Sequence, residues 1–365
     1  MSPVNRRTAI GTIVGAAGVV AGCAVIPPGT SGVFASPVQP SSPAPPPSPS
    51  ATVDERVRAP LTGLPVDDPN LLNHAAVAVK VSDVRSAHPQ AGLNSADIVF
   101  TEPNGVSYIR LCAVFHSTFP ELVGPVRSIR PVDVPLLSPM KLVFGNTAAA
   151  HWVMNYVASF SRYIENLYSF KAGVHGTQAY YTMPHRFLVH SVFCRPDELR
   201  KLAQRNTAAP VQYLPFAASA DQASTASSSL AAKTVSVPWG PGDSWNTAYH
   251  YDAKTERYLR DEPWGPHILT DGQRVVTDNV LVVRASWKMD KIFAGGGAPD
   301  PVVDIINGTG TFYYAHGGTY VKGTWTKGAV NELFQFTCED GSPLQIAPGR
   351  TFIELPQLNA KVKLS

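Results

Sequence analysis

The sequence predicts an α+β fold in which a mixed α/β domain is followed by a smaller, mostly antiparallel β domain, a curled sheet or partial barrel. Three observations predict it. Before residue 206, short Val/Ile-rich runs bounded by turn residues alternate with stretches at helical spacing. Between 206 and 234 the chain becomes rich in Ala and Ser, and after Thr234 it reads as strand and turn almost throughout. The 365 residues suffice for two domains of ordinary size, and 44% hydrophobic with 9% aromatic residues suffices to bury their cores.

The first 23 residues, "MSPVNRRTAIGTIVGAAGVVAGC", set the compartment. Arg6 and Arg7 give a basic start, a short run of small and apolar residues follows, and the stretch ends at Val20-Ala21-Gly22-Cys23. The run falls short of the ~20 residues of a permanent membrane span. Residues 1–22 are therefore expected to be an export signal. The ending resembles the bacterial lipoprotein pattern, which implies that Cys23 carries acyl chains of the palmitate type. Burial of those chains at ~0.8 kcal/mol per CH₂ would hold the protein to the cell membrane at its extracytoplasmic face. A plain secretory signal with a chance cysteine is the alternative.

Residues 23–58 are expected to be a lipid-anchored tether. Pro, Ser, Ala and Gly dominate them, as in "PSSPAPPPSPS", and there is almost nothing large and apolar to bury. Such a segment favours polyproline II at ~3.1 Å per residue.

The mixed α/β domain is placed at 59–205. "HAAVAVKVSD", "ADIVFTEP" and "YIRLCAVFHS" read as strands. "MNYVASFSRYIENLYSF" has its aromatic and aliphatic residues at helical spacing, and "RPDELRKLAQRN" begins with a proline and acidic residues as a helix should. Residues 206–234 form an interdomain loop, and 235–365 the β-rich domain. There "WNTAYHYDAKTERYLRD" predicts a hairpin turning at Asp252 to Thr255. Glycines 308, 310, 317, 318, 341 and 349 mark later turns or bulges.

The charge balance, 30 Lys+Arg against 27 Asp+Glu, excludes nucleic acid as the main partner, because no dense basic stripe accompanies it. Cys112, Cys194 and Cys338 are odd in number, so at most one disulfide forms, and Cys112 reads as a small core residue on a strand. There is no G-x-S-x-G elbow, P-loop or dinucleotide fingerprint, and no cofactor is expected. His185 and His190 lie five apart without CxxC or HExxH, so no metal site is expected either.

The candidate ligand contacts start from "ELVGPVRSIRPVDVPLL". Arg127 and Arg130 stand three apart between Pro125 and Pro131, and a proline-framed turn would put both guanidinium forks on one edge, suited to carboxylate or phosphate. Alternatively they pair with Glu102, Glu121 or Asp133 and peg a loop to the sheet. In "TMPHRFLVH", His185 follows a proline in a loop, where it serves either as an oriented structural histidine or as an acid/base. Tyr258 and Arg260 belong to an aromatic stretch with Tyr249, Tyr251, Trp239, Trp245 and Trp264, which is core packing or a sugar-stacking surface.

"PLTGLPVDD", "AVAVKVSD", "AHPQAGLNSADIVF", "GPVRSIR", "MPHRFLV", "YHYDAKTERYLRD", "DNVLVV" and "APGRTFIEL" occur in an order that resembles the YerB-like bacterial lipoproteins, the domain-of-unknown-function 3048 family. The resemblance covers nearly all of the chain from Leu61 onward and implies a two-part extracytoplasmic lipoprotein. It supplies no reaction, so no catalytic residue is assigned. At "KLVFGNTAAAHWV" the sequence departs from the family, where a histidine followed by small residues is expected.

The expected function is binding of an anionic or glycan cell-envelope ligand, or of an envelope protein partner, through Arg127, Arg130, His185, Tyr258 and Arg260. The alternative is a hydrolase or transferase acting on cell-wall polymers with His185 as acid/base.

Overall fold

The structure, a computed structural model, describes residues 56–105, 109–240 and 245–365. The signal at 1–22, the lipidation site Cys23 and nearly all of the tether lie outside the described residues. The described residues belong to one compact unit, Thr52–Ser365.

In chain order the first strands are β1 (Val77–Ser82), β2 (Ile98–Pro103), β3 (Ile109–Phe115), β4 (Val143–Gly145), β5 (Glu165–Asn166), β6 (Tyr180–Thr182) and β7 (Val192–Cys194). Helices α1 (Asp133–Leu137) and α2 (His151–Ser159) flank β4, and α3 (Pro196–Lys201) follows β7. The later strands are β8 (Thr234–Pro238), β9 (Asn246–Asp252), β10 (Arg257–Glu262), β11 (Gly265–Pro266), β12 (Val276–Thr277), β13 (Asn279–Arg284), β14 (Trp287–Asp290) and β15 (Asp300–Val303). β16 (Gly308–His316), β17 (Thr319–Lys327), β18 (Gln335–Cys338), β19 (Thr351–Glu354) and β20 (Lys363–Leu364) complete them.

The architecture is α+β, with few helices and many strands in sheets of which none closes. The main sheet runs β18-β17-β16-β13-β19-β2-β3-β1-β4-β5. Strands from before and after the 206–234 segment share it, because β19 lies parallel to β2 and to β13. A second sheet runs β11-β10-β9-β8-β20, with β12 on β10. It contains the hairpin read from the sequence, Tyr258 opposite Tyr251 and Arg260 opposite Tyr249.

β1, β2 and β3 are buried along their whole length, which explains their near-continuous apolar composition. The Val and Ile side chains suit this because β-branched residues pack well on a pleated surface. One hydrophobic cluster joins these strands to Val280–Val283, Phe312, Tyr314, Phe352 and Ile353. Cys112, Cys194 and Cys338 are free and buried.

α3 forms as its ends dictate, with Pro196 in the first turn, Asp197 and Glu198 behind it, and Arg200 and Lys201 in the last turn. The helix expected over "MNYVASFSRYIENLYSF" stops at Ser159. Beyond it Ile164 enters the core, and Glu165 and Asn166 pair with Val143 and Phe144. Tertiary pairing there outweighs a helical apolar spacing.

Candidate functional site

Registers place a row of ionisable groups on one face of the central strands. Ser82 on β1 and Glu102 on β2 both lie opposite Arg110 on β3, and Lys80 lies opposite Cys112. Residues directly across a ladder share a face, so Lys80, Glu102, Arg110 and Cys112 all point to the side that α1 covers. Lys80 Nζ donates to Glu102 and, at 2.9 Å, to Asp133 Oδ1 at the start of α1. All three side chains are wholly buried. Burial pushes Glu102 well up, and Asp133 adds to the rise. The Cys112 thiol is pushed well up for the same two reasons, so it is an inert core thiol.

The proline-framed segment crosses the end of this row. Ser82 N–H donates to the Pro125 carbonyl and Arg127 N–H to the Lys80 carbonyl, both at 2.9 Å, while Val126 N–H reaches Val192 O at 2.7 Å. Residues 127–130 then follow no regular element, and the charge of Arg130 adds to burial in lowering the Arg127 guanidinium. Arg130 is buried and well pegged. Its Nε donates to Asn104 Oδ1 at 2.9 Å, its Nη1 to Ile129 O at 3.0 Å, and Asp300 Oδ1 lies 3.5 Å from Nε. Its backbone N–H donates to Asp133 Oδ2 at 2.6 Å.

Arg127 is different. It is half-buried, its Nη1 reaches Val189 O at 3.1 Å, and its buried Nε has no partner among the described residues. Arg110 donates to Ser128 O at 2.9 Å. Burial and the charges of Arg130 and Arg127 hold the Arg110 guanidinium well below its ordinary range. His190 is pushed down by burial and then by Arg127, Arg186 and Arg110. Its Nε2 faces Ser86 Oγ at 3.1 Å, and its buried Nδ1 is unpartnered among the described residues.

Lys80, Arg110, Arg127 and Arg130 face Glu102, Asp133 and Asp300, and burial raises both Glu102 and Asp300 toward their neutral forms. Guanidinium groups crowded this way offer charge-assisted hydrogen bonds to an entering carboxylate or phosphate.

His185 stands outside the cluster, exposed, with φ of +63°. The histidine–carboxylate contacts among the described residues are His88–Asp83, His250–Asp261 and His267–Glu262, and none includes His185. Tyr258 is fully buried and donates to Ala232 O at 2.9 Å. Arg260 is also fully buried, between Glu262, Asp83 Oδ2 at 3.1 Å and His267 Nδ1 at 2.7 Å. Asp83, His88, Glu262 and His267 bring four metal-ligand atoms within 4.8 Å of one another. The Arg260 guanidinium already supplies the positive charge among them, so the group is an ion-pair network.

Sequence reasoning missed Lys80 and Arg110, and it weighed Glu102 only as a partner of Arg127 and Arg130, whereas Glu102 pairs with Lys80. The available signal was an ionisable residue inside a strand that is otherwise apolar on both faces, since such a charge is buried only with partners.

Comparison with known proteins shows the family. The family described as "Protein of unknown function (DUF3048) N-terminal domain" matches residues 61–209, and its "C-terminal domain" matches 235–353. "Putative lipoprotein YerB" of Bacillus subtilis (strain 168) is 28% identical over 312 residues, covering 84% of this chain and 88% of that protein. The crystal structure of the YerB protein from Bacillus subtilis superposes with a TM-score of 0.70 at 24% identity, over 84% of this chain and 100% of that one. With both family domains present in order, this chain belongs to the DUF3048 family of proteins of unknown function.

Proposed function

We propose that the protein is a lipid-anchored, extracytoplasmic module that binds an anionic ligand of the cell envelope at the Arg110–Arg127–Arg130 cluster, with His190 at its rim. The observation that carries it is the half-buried Arg127, whose Nη1 reaches Val189 O at 3.1 Å while its buried Nε has no partner among the described residues. A carboxylate or phosphate entering beside Arg127 would satisfy its unpartnered Nε and relieve the mutual repulsion. The sequence of residues 1–23 and the similarity to a protein named as a lipoprotein support the anchoring.

A second reading has its own observation. His88 Nε2 lies 3.0 Å from Asp83 Oδ1, and its ring meets Trp264 edge-on at 4.8 Å. A histidine oriented by a carboxylate beside an aromatic ring suits acid/base work on a sugar polymer, the role that the alternative reading of the sequence gave to His185.

The test is binding of the chain from Ala24 to Ser365 to purified cell-wall fragments, beside Arg127→Ala with its fold checked by circular dichroism. Saturable binding that the variant loses supports the anion site. Equal binding by both, or none by either, removes it, and polymer cleavage that His88→Ala abolishes would favour the second reading.

A further inference from the structure

Three consecutive large apolar side chains stand in solvent beside the arginine cluster. Phe187, Leu188 and Val189 are 73%, 82% and 44% exposed, and no other run of three exists among the described residues. Lone exposed apolar residues are ordinary, but a contiguous set at a loop tip marks a surface that meets something apolar.

The tip is firmly built. His190 N–H donates to Phe187 O at 2.7 Å, Ser191 Oγ to Leu188 O at 2.9 Å, and Arg127 Nη1 to Val189 O at 3.1 Å. Each of the three tip carbonyls is thus satisfied from the protein side, while the three side chains are exposed. Below the tip, Arg186 donates to Ala87 O at 2.9 Å and to Pro89 O, with its guanidinium over the Phe193 ring. Arg127, Arg186 and His190 therefore ring the base of the apolar tip with cationic or proton-accepting groups.

We infer that this loop is a membrane-contacting wedge, in which Phe187, Leu188 and Val189 enter the headgroup and acyl boundary of an anionic bilayer and Arg127 with Arg186 takes the phosphate of a phospholipid headgroup. An apolar tip above a cationic base has the order of chemistry that an anionic lipid surface presents, acyl chains first and phosphates above them. A soluble anion would use the arginines and leave the tip without a role. The inference rests on the anion-binding reading for Arg127 and adds the source of the anion. A tether as long as residues 23–58 allows such a contact without imposing it.

The test uses the unacylated chain from Ala24 to Ser365, which contains the whole compact unit Thr52–Ser365, so that no lipid anchor contributes. Sedimentation is measured with phosphatidylcholine vesicles, with and without phosphatidylglycerol, and glycerol phosphate binding is measured by calorimetry. The variants are Arg127→Ala and the double substitution Phe187→Ser with Leu188→Ser, all checked by circular dichroism. The wild-type chain is expected to prefer the phosphatidylglycerol vesicles. Losing two apolar side chains that the bilayer would bury should weaken that binding by at least about tenfold and leave glycerol phosphate binding unchanged, and Arg127→Ala should weaken both. Glycerol phosphate binding without vesicle binding overturns the wedge and keeps the anion site, with the tip left to a protein partner. Vesicle binding that needs Phe187 and Leu188 but ignores Arg127 overturns the anion site and the headgroup contact together. Vesicle binding unchanged in the double variant overturns the wedge.

Discussion

Lys80 Nζ donates to Asp133 Oδ1 at 2.9 Å with both side chains wholly buried, and the same ammonium holds Glu102 on the neighbouring strand. One lysine thus keeps two carboxyl groups side by side under α1. Asp133 in turn accepts the Arg130 backbone N–H, which fixes the end of the segment that carries the arginines.

Replacing that lysine should therefore be costly. Lys80→Met leaves Glu102 and Asp133 buried without their cation, and breaking a buried pair from one side costs ~3–5 kcal/mol. Urea unfolding should show a lower midpoint at an unchanged slope. A cost below ~1 kcal/mol would mean that the two carboxyl groups share a proton and need no lysine.

Arg127 and Arg130 should separate in stability measurements. Arg130→Ala removes the bonds to Asn104 and Ile129 and leaves Asp300 facing a gap, at roughly 2–4 kcal/mol. Arg127 makes one bond to a carbonyl and suffers the charge of Arg130, so Arg127→Ala should leave stability within about 1 kcal/mol of the parent or raise it. Thermal melts of the two variants decide this. Equal destabilisation would make Arg127 a structural peg.

The loop that supports the arginines depends on Gly92, which has φ of +83°. A Cβ there would sit 2.5 Å from Leu122 O and 2.9 Å from Val123 Cγ2, next to the Ala91–Gly124 bridge. Gly92→Ala should cost roughly 2 kcal/mol or more, since strain and collision add. Gly173, at φ of +79° with open space around its Cβ position, is the control, and its alanine variant should lose only about 1 kcal/mol. Equal losses on denaturation would show that backbone strain alone matters.

How much of this was legible in the sequence follows from what each signal reports. The strands were readable because β1, β2 and β3 are buried on both faces, and the hairpin because turn residues separate two aromatic strands. The joining of β19 to β2 was not readable, because nothing local specifies which distant strand a buried strand will pair with. At the site, the prolines around Arg127 and Arg130 pointed to a special backbone. The role of Arg110 was hidden because its neighbours Ser82 and Glu102 come from two other strands, 28 and 8 residues away. His190, not His185, meets the arginines, since one turn of 3-10 helix at Leu188–His190 carries the later histidine inward.

Asp97 and His116 give the pH prediction. Asp97 Oδ2 accepts the backbone N–H of His116 at 2.5 Å and of Ser117 at 2.9 Å, and burial raises its carboxyl to about 6 from 3.8. His116 Nε2 faces Leu72 O and His74 O, both at 3.1 Å, and burial, then His74, lowers its ring to about 4 from 6.5. The folded state therefore binds more protons at Asp97 than the unfolded chain does, and stability from this group is lost as pH rises from 3.8 through 6. At His116 the folded state binds fewer, so its contribution is complete above 6.5 and is lost as pH falls toward 4. The two slopes oppose each other in one window and nearly cancel in the parent. Single substitutions should unmask them. Asp97→Asn should gain stability on the order of 2–3 kcal/mol between pH 4 and 6.5, and His116→Gln should lose a similar amount from pH 4 to 6. Urea midpoints across that range measure both slopes, and slopes of the same sign in the two variants would refute the assignment of opposite proton uptake to this pair.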